Sequence, residues 1–242
     1  MGISRRLLFT AGSGVLGVAV LSACSADEDS PAAAPTAGAA SEEEATGPLT
    51  WKRVDLSFVS AYLLIRGSTA AIVDLGTGGS AEAIGEGLTA AGSSFSAVRH
   101  VVMTHKHDDH AGGLGGVEPL ATNAKFYTGE ADVVSISSTK DLIGLKDDDD
   151  VFGLRIVGTP GHTAGHISVF DPDTGTLVAG DALRTTTDGL VGPDPQYSED
   201  MATAGASMKK LAGLDVRTIL PGHGAPLTSN AGAALKKLAA SG

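Results

Sequence analysis

The chain has 242 residues, 42% of them apolar and 4% aromatic, with 33 glycines and a formal charge of −11. That length suits one domain of ordinary size with a full core, and the composition suits a turn-rich α/β protein rather than a membrane bundle. The acidic balance argues against a nucleic-acid partner, which would need a basic face.

The N-terminal segment differs from the rest. Arg5 and Arg6 precede an apolar, Gly- and Ala-rich run from Leu7 to Leu21. This run is shorter than the roughly 20 residues that span a bilayer as a helix. A basic start, a short apolar run and small residues at its end describe a secretion signal. The arginine pair resembles a twin-arginine signal, with a partial match to the wider motif. Leu21 to Cys24 resembles the bacterial lipobox, in which the chain is cut before a cysteine that carries lipid. Residues 1–23 are thus expected to be a signal peptide. Cys24 would anchor an exported protein to the outer face of the bacterial cytoplasmic membrane or elsewhere in the cell envelope. The competing reading is an uncleaved anchor helix. Cys24 is the sole cysteine, so no internal disulfide forms. Residues 24–47, rich in Ala, Ser, Pro and acids, show no apolar period and read as a flexible tether. The folded domain is expected over 48–242.

Residues 49–58 and 59–76 read as strands, with Arg66-Gly67-Ser68 as the turn of a hairpin. Residues 80–92 have helical spacing, with Ser80 as the cap. Residues 97–105 form a buried-type strand that delivers His105. A loop and short helix follow over 111–121, then a strand over 124–129 and a helical stretch over 130–137. Residues 151–162 are a strand running into a loop with His162. Residues 166–181 form a hairpin around Asp171-Pro172-Asp173-Thr174-Gly175. A helix over 198–212, a strand ending at His223 and a helix over 229–240 complete the pattern. Asp74, His105, His162, Asp181 and His223 each directly follow an apolar strand-type run, where a rigid scaffold can aim them at one point.

His105, His107, Asp109 and His110 spell H-x-H-x-D-H. Near a strand end, His105 and His107 share a face, and Asp109 and His110 turn with the loop. Gly112 and Gly113 follow, where a tight bend is expected. Imidazole with carboxylate suits zinc, and also iron or manganese. Four such groups in one segment cannot easily close one tetrahedral site, but two pairs can feed two adjacent ions. The remaining ligands would come from Thr159–His166, Ala179–Leu183 and Pro221–Gly224.

The succession of H-x-H-x-D-H, "TPGHTAGH", "AGDAL" and "PGHG" resembles the metallo-β-lactamase-fold hydrolase superfamily over about residues 50–242. The resemblance implies an α/β fold, an αββα sandwich of two mixed sheets flanked by helices. It implies two divalent ions, one on His105, His107 and His162, the other on Asp109, His110 and His223, with Asp181 bridging. Asp74 would orient the ligand loop, and His166 would pack behind the site rather than ligate. A hydroxide shared by the ions would attack an ester, thioester, lactone or amide carbonyl of a small molecule, with Asp109 also moving a proton. Asp181 points to the glyoxalase-II-like and lactonase branches, because true β-lactamases carry a different residue there. Glyoxalase II proper has a further helical region, whereas 19 residues follow His223; lactonases place a tyrosine soon after the aspartate, whereas Tyr197 is 16 residues on. The alternatives are a mononuclear iron redox enzyme resembling the superfamily's persulfide dioxygenases, and a metal-binding lipoprotein without turnover. His100 is not expected to ligate, Lys106 and Asp108 are expected to face away from the ions, and Asp147 to Asp150 to form a solvated loop. Thr104, Thr159 and Thr163 are candidates for hydrogen bonds within the ligand loops.

Overall fold

The computed structural model describes residues 47–241; the expected signal, Cys24 and nearly all of the tether lie outside them. Six strands form the first sheet in chain order: β1 (Thr50–Leu56), β2 (Val59–Arg66), β3 (Thr69–Val73), β4 (Val98–Met103), β5 (Lys125–Gly129) and β6 (Leu142–Leu145). The first three are antiparallel, and β3 to β6 are parallel. Helix α1 (Ala81–Ala90) carries the crossover from β3 to β4. Two single-turn helices, α2 (Asp108–Ala111) and α3 (Leu114–Val117), lie between β4 and β5.

The second sheet contains β7 (Asp150–Val151), β8 (Leu154–Gly158), β9 (Ile167–Asp171) and β10 (Thr176–Gly180). A small hairpin, β11 (Arg184–Thr186) and β12 (Gly189–Val191), and helix α4 (Met201–Leu211) follow. Strand β13 (Thr218–Pro221) then returns beside β10 in parallel, and α5 (Ala231–Ser241) closes the described chain.

Alternation along the strands sorts side chains into three apolar layers. In β2, Tyr62 and Leu64 face the second sheet, meeting Ile156, Val169 and Val178. Ala61 and Leu63 face the other way, onto Ile84 and Leu88 of α1. In β10, Leu177 and Ala179 pack with Met208 and Leu211 of α4 and Leu235 of α5. Central strands covered on both faces must be apolar on both, as β2, β3 and β10 are. The result is the αββα sandwich. Each fully buried Leu or Ile in these layers contributes about 1.5–3 kcal/mol.

Local expectations differ from the structure at four places. Ser80 occupies the position before α1, but its side chain makes no capping bond and its backbone is already helical. Asp200 does cap α4, accepting from the Ala202 and Thr203 amides. Residues Glu130–Ser135 form a 3₁₀ helix. The β6, β7, β11 and β12 strands are too short to show a period; pairing with neighbours creates them. Gly112 and Gly113 have ordinary helical φ values, −65° and −71°. Glycine is required at 113 by close approach instead, because a Cβ would collide with the Leu75 carbonyl.

At the end of β2 remote from the ligand loops, Arg66 is buried against Asp171 of β9, Nη2 to Oδ1 2.8 Å. Arg66 also donates to the carbonyls of Gly47 and Gly153. Removing one partner leaves a buried carboxylate uncompensated. Arg66→Met should lower the unfolding free energy by about 3 kcal/mol in urea titrations. A loss below about 0.5 kcal/mol, the scale of an exposed pair, would show that the pair contributes little.

Candidate metal centre

The ends of parallel strands bring the site together. Asp74 follows β3 and the His105–His110 segment follows β4, neighbours in the first sheet. His162 lies beyond β8, while Asp181 and His223 follow the adjacent strands β10 and β13 in the second. Bonds between the sheets hold the two sets in register. Tyr62 Oη donates to the Pro221 carbonyl at 2.8 Å, and the Ser60 amide donates to Gly222 at 2.9 Å. The Ile167 amide donates to Thr104 at 2.9 Å.

Seven side chains converge there in three overlapping groups that could hold an ion: His105 with His107 and His162; His105 with His110 and Asp181; Asp109 with His110 and His223. His107 Nδ1 lies 3.0 Å from both His105 Nε2 and His162 Nε2. Asp181 stands between the outer groups, with Oδ2 3.4 Å from His162 Nε2 and 3.1 Å from His223 Nε2. Asp109 Oδ2 is 3.3 Å from His223 Nε2.

A neutral imidazole has one N–H and one lone pair, so whatever accepts the N–H decides where the lone pair points. His110 Nδ1 lies 2.8 Å from Asp74 Oδ2 and donates to it. Thr104 donates its hydroxyl to the same oxygen and its amide to Asp74 Oδ1. The hydroxyl oxygen therefore accepts from His105 Nδ1, 3.1 Å away. Ser198 donates to the Asp194 carbonyl and so accepts from His162 Nδ1 at 3.1 Å. His223 Nδ1 donates to the Phe58 carbonyl at 2.7 Å. In all four rings the outer nitrogen is committed and Nε2 faces the cluster.

The donor set fits divalent cations. Zinc–nitrogen bonds of about 2.0–2.1 Å in a tetrahedron place ligand nitrogens roughly 3.3 Å apart, close to the 3.0 Å of the His105–His107–His162 group. Among the described residues, His110 Nε2 and Asp181 Oδ1 are buried without an aligned hydrogen-bond partner, although 3.2 Å apart. Such groups are costly unless something binds them.

The electrostatics point the same way. Burial would raise the Asp181 carboxyl, but His110 beside it holds it well below the carboxylate range. Burial would lower His110, yet Asp181 and Asp74 together lift it well above an ordinary histidine. Hydrogen bonds to Asp109 and Asp181 raise His223 to about 10. Burial depresses His105 strongly and His162 to about 4. The cluster thus has a cation-accepting side at His110 and His223, which protons occupy readily, and a neutral side at His105 and His162.

His166 does not join these groups. Its Nε2 accepts the Asp181 amide at 3.0 Å, and its Nδ1 donates to Thr159, which leads on to Ser168. It therefore holds the backbone of Asp181, and burial lowers it to about 3, keeping it neutral. Asp108 is exposed. Lys106 turns from the cluster to an ion pair with Glu199, Nζ to Oε1 2.7 Å. His100 lies within β4, its Nδ1 3.2 Å from the Tyr127 hydroxyl. The Asp147–Asp150 run is largely exposed but partnered: Asp147 with Lys210, Asp148 with Arg155, Asp149 with the Lys146 amide and Asp150 with the Gly153 amide. Sequence reasoning missed Ser198 and the Phe58 carbonyl. Each lies far along the chain from its histidine and has no motif of its own. Phe58 is exposed in the turn between β1 and β2, its ring stacked on His223 with an interplanar angle of 9°. Tyr197 is exposed beside Ser198.

A family model described as the metallo-beta-lactamase superfamily matches residues 54–223. The probable metallo-hydrolase YflN of Bacillus subtilis is 30% identical over 174 residues, 54% of this chain and 66% of that protein. The thioesterase pkgB of Emericella nidulans is 27% identical over 175 residues, 71% of this chain and 47% of that protein. The chain thus spans about half to two thirds of the length of these relatives. The crystal structure of a metallo-beta-lactamase family protein from Thermus thermophilus superposes with a TM-score of 0.61 at 26% identity, covering 80% of this chain and 78% of the other.

Because protons occupy His223 up to about pH 10 and His110 also lies above its ordinary value, ions must displace them. Zinc added to ion-free protein near neutral pH should release protons, and apparent affinity should climb with pH until His223 is neutral. Titration in weakly buffered solution with an indicator dye reads both. Uptake without proton release, at an affinity unchanged between pH 6 and 9, would contradict this charge assignment.

Proposed function

The chain belongs to the metallo-beta-lactamase superfamily, and from that premise we propose that it is a dinuclear metal-dependent hydrolase of an ester, thioester, lactone or amide carbonyl in a small molecule. The observation that carries the reading is the convergence of seven ligand-type side chains, with the Nε2 atoms of four imidazoles turned inward by the partners of their Nδ1 atoms. His105, His107 and His162 would hold one ion, Asp109, His110 and His223 the other, and Asp181 would lie between them. Two bound divalent ions lower the pKa of a water from about 15.7 towards about 7 and stabilise charge on a carbonyl oxygen.

The chain's own residues supply orientation and proton handling. Asp74, buried and left-handed at φ 63°, aims His105 and His110 together. Burial raises the Asp109 carboxyl, but the His223 bond outweighs it and keeps Asp109 ionised, as a ligand to a cation would need. Nitrogen and carboxylate donors favour zinc, with iron or manganese as competitors. The name of the Emericella nidulans relative supports a thioester among the substrates to try first.

The same proposal includes export and lipid anchoring, supported by Arg5-Arg6, the apolar run and the resemblance of Leu21–Cys24 to a lipobox. Cys24→Ala should shift the protein from the membrane fraction to the soluble fraction of the cell envelope. Unchanged membrane retention would remove the anchor from the proposal.

A panel of esters, thioesters, lactones and β-lactams with added zinc is the direct test. His105→Ala and Asp181→Ala should each lower bound metal and cut turnover at least about a hundredfold, since even outer partners of ligands cost 10–100-fold. Wild-type turnover by the double variant with no metal bound would refute the mechanism. One iron per chain with sulfur-dependent oxygen uptake would favour the redox alternative.

A further inference from the structure

We propose that Asp132 is a positioning residue that sets the geometry of the His105–His107–His162 group by joining its two ligand loops through one buried carboxylate. This rests on reading that group as a cation site. Asp132 lies in the 3₁₀ helix after β5, outside every ligand motif, and is fully buried. Its Oδ2 accepts the Lys106 amide at 3.1 Å and the Thr163 hydroxyl at 2.6 Å. Its Oδ1 accepts the Gly165 amide at 2.9 Å. Lys106 sits between His105 and His107, and Thr163 directly follows His162. One side chain therefore bonds to neighbours of all three histidines.

The chemistry requires a carboxylate. Three donors converge, and an ionised carboxyl is acceptor-only, with capacity for all of them. An amide of the same shape would turn an NH₂ towards at least one donor. Space has also been made for the contact. A Cβ at Gly165 would collide with the Asp132 amide, and one at Gly129, at the end of β5, would collide with the Gly165 carbonyl. Burying a charge is expensive, and nothing in β5 itself needs one.

The other ion group is held by different means. His110 is fixed by Asp74 and by the Leu75 amide on its carbonyl, and His223 by the Phe58 carbonyl. None of these bonds involves Asp132. Its removal should therefore damage the two ion sites unequally. A residue that merely staples the fold would weaken both along with stability.

The test uses the full chain, stripped of ions and titrated with zinc against a chromophoric chelator. Wild type should take up two zinc ions. Asp132→Asn should weaken one step by 10–100-fold and leave the other within about threefold, as expected for a lost positioning contact. Thr163→Val, which removes a single bond, should weaken the same step less, and remains informative if the Asp132 variant folds poorly. Pairing identifies the step. With His223→Ala, adding Asp132→Asn should weaken the remaining step by the same 10–100-fold; with His162→Ala it should change the remaining step little. Arg66→Met, far from the site, serves as the control for lost stability. Equal weakening of both steps, or losses that only track melting temperature as in Arg66→Met, would overturn the proposal, as would no change in either variant. Failure of the wild type to bind two zinc ions would instead bring down the hydrolase reading on which it stands.

Discussion

An imidazole ring can present a lone pair inward only if something outside accepts its proton, and the whole site depends on that division. Asp74 satisfies it for two rings at once, directly for His110 and through the Thr104 hydroxyl for His105. It does so from a left-handed backbone at the end of β3, a conformation that aspartate tolerates better than most residues. The Ser198 hydroxyl and the Phe58 carbonyl do the same for His162 and His223. With the outer nitrogens committed, the inner ones converge on one another. Ligand identity alone would not achieve this; rings free to rotate or change tautomer would bind ions poorly.

The two-sheet architecture separates stability from chemistry. Apolar layers on both faces of β2, β3 and β10 supply most of the cohesion. The buried Arg66–Asp171 pair sits at one end of the sandwich. The loops that follow β3, β4, β8, β10 and β13 lie at the other and carry the acids and histidines. Concentrating Asp74, Asp109 and Asp181 there creates a demand for positive charge, visible in the raised His110 and His223. Backbone bonds such as Leu75 to His110 and Ser60 to Gly222 keep that crowded region from relaxing apart.

Legibility in the sequence followed locality. The long strands and α1, α4 and α5 could be read because their apolar periods are set by nearest neighbours on one face. The seven ligand-type residues could be read because H-x-H-x-D-H and the glycine-flanked His162, Asp181 and His223 are short and dense. The short strands β6 and β7 could not, since they exist only through pairing with β5 and β8. Gly113 was seen as special for the wrong reason: its backbone is ordinary, and the Leu75 carbonyl pressing on it is 38 residues away. Ser80 has the side chain of a cap but not its backbone geometry, which no one-dimensional pattern records.

What the sequence determined by itself is therefore the type and order of the chemistry: an acidic chain in which five apolar strand-type runs are each followed by an acid or a histidine. The tertiary structure decided which nitrogen of each ring faces inward, that Ser198 and a Phe58 carbonyl are partners, that His166 holds Asp181 by its amide, and that Asp132 spans two loops. Those facts depend on atoms meeting across 15 to 165 residues of chain. Local propensity and periodicity act over a few residues, so contacts of that reach exist only once the sheets have packed.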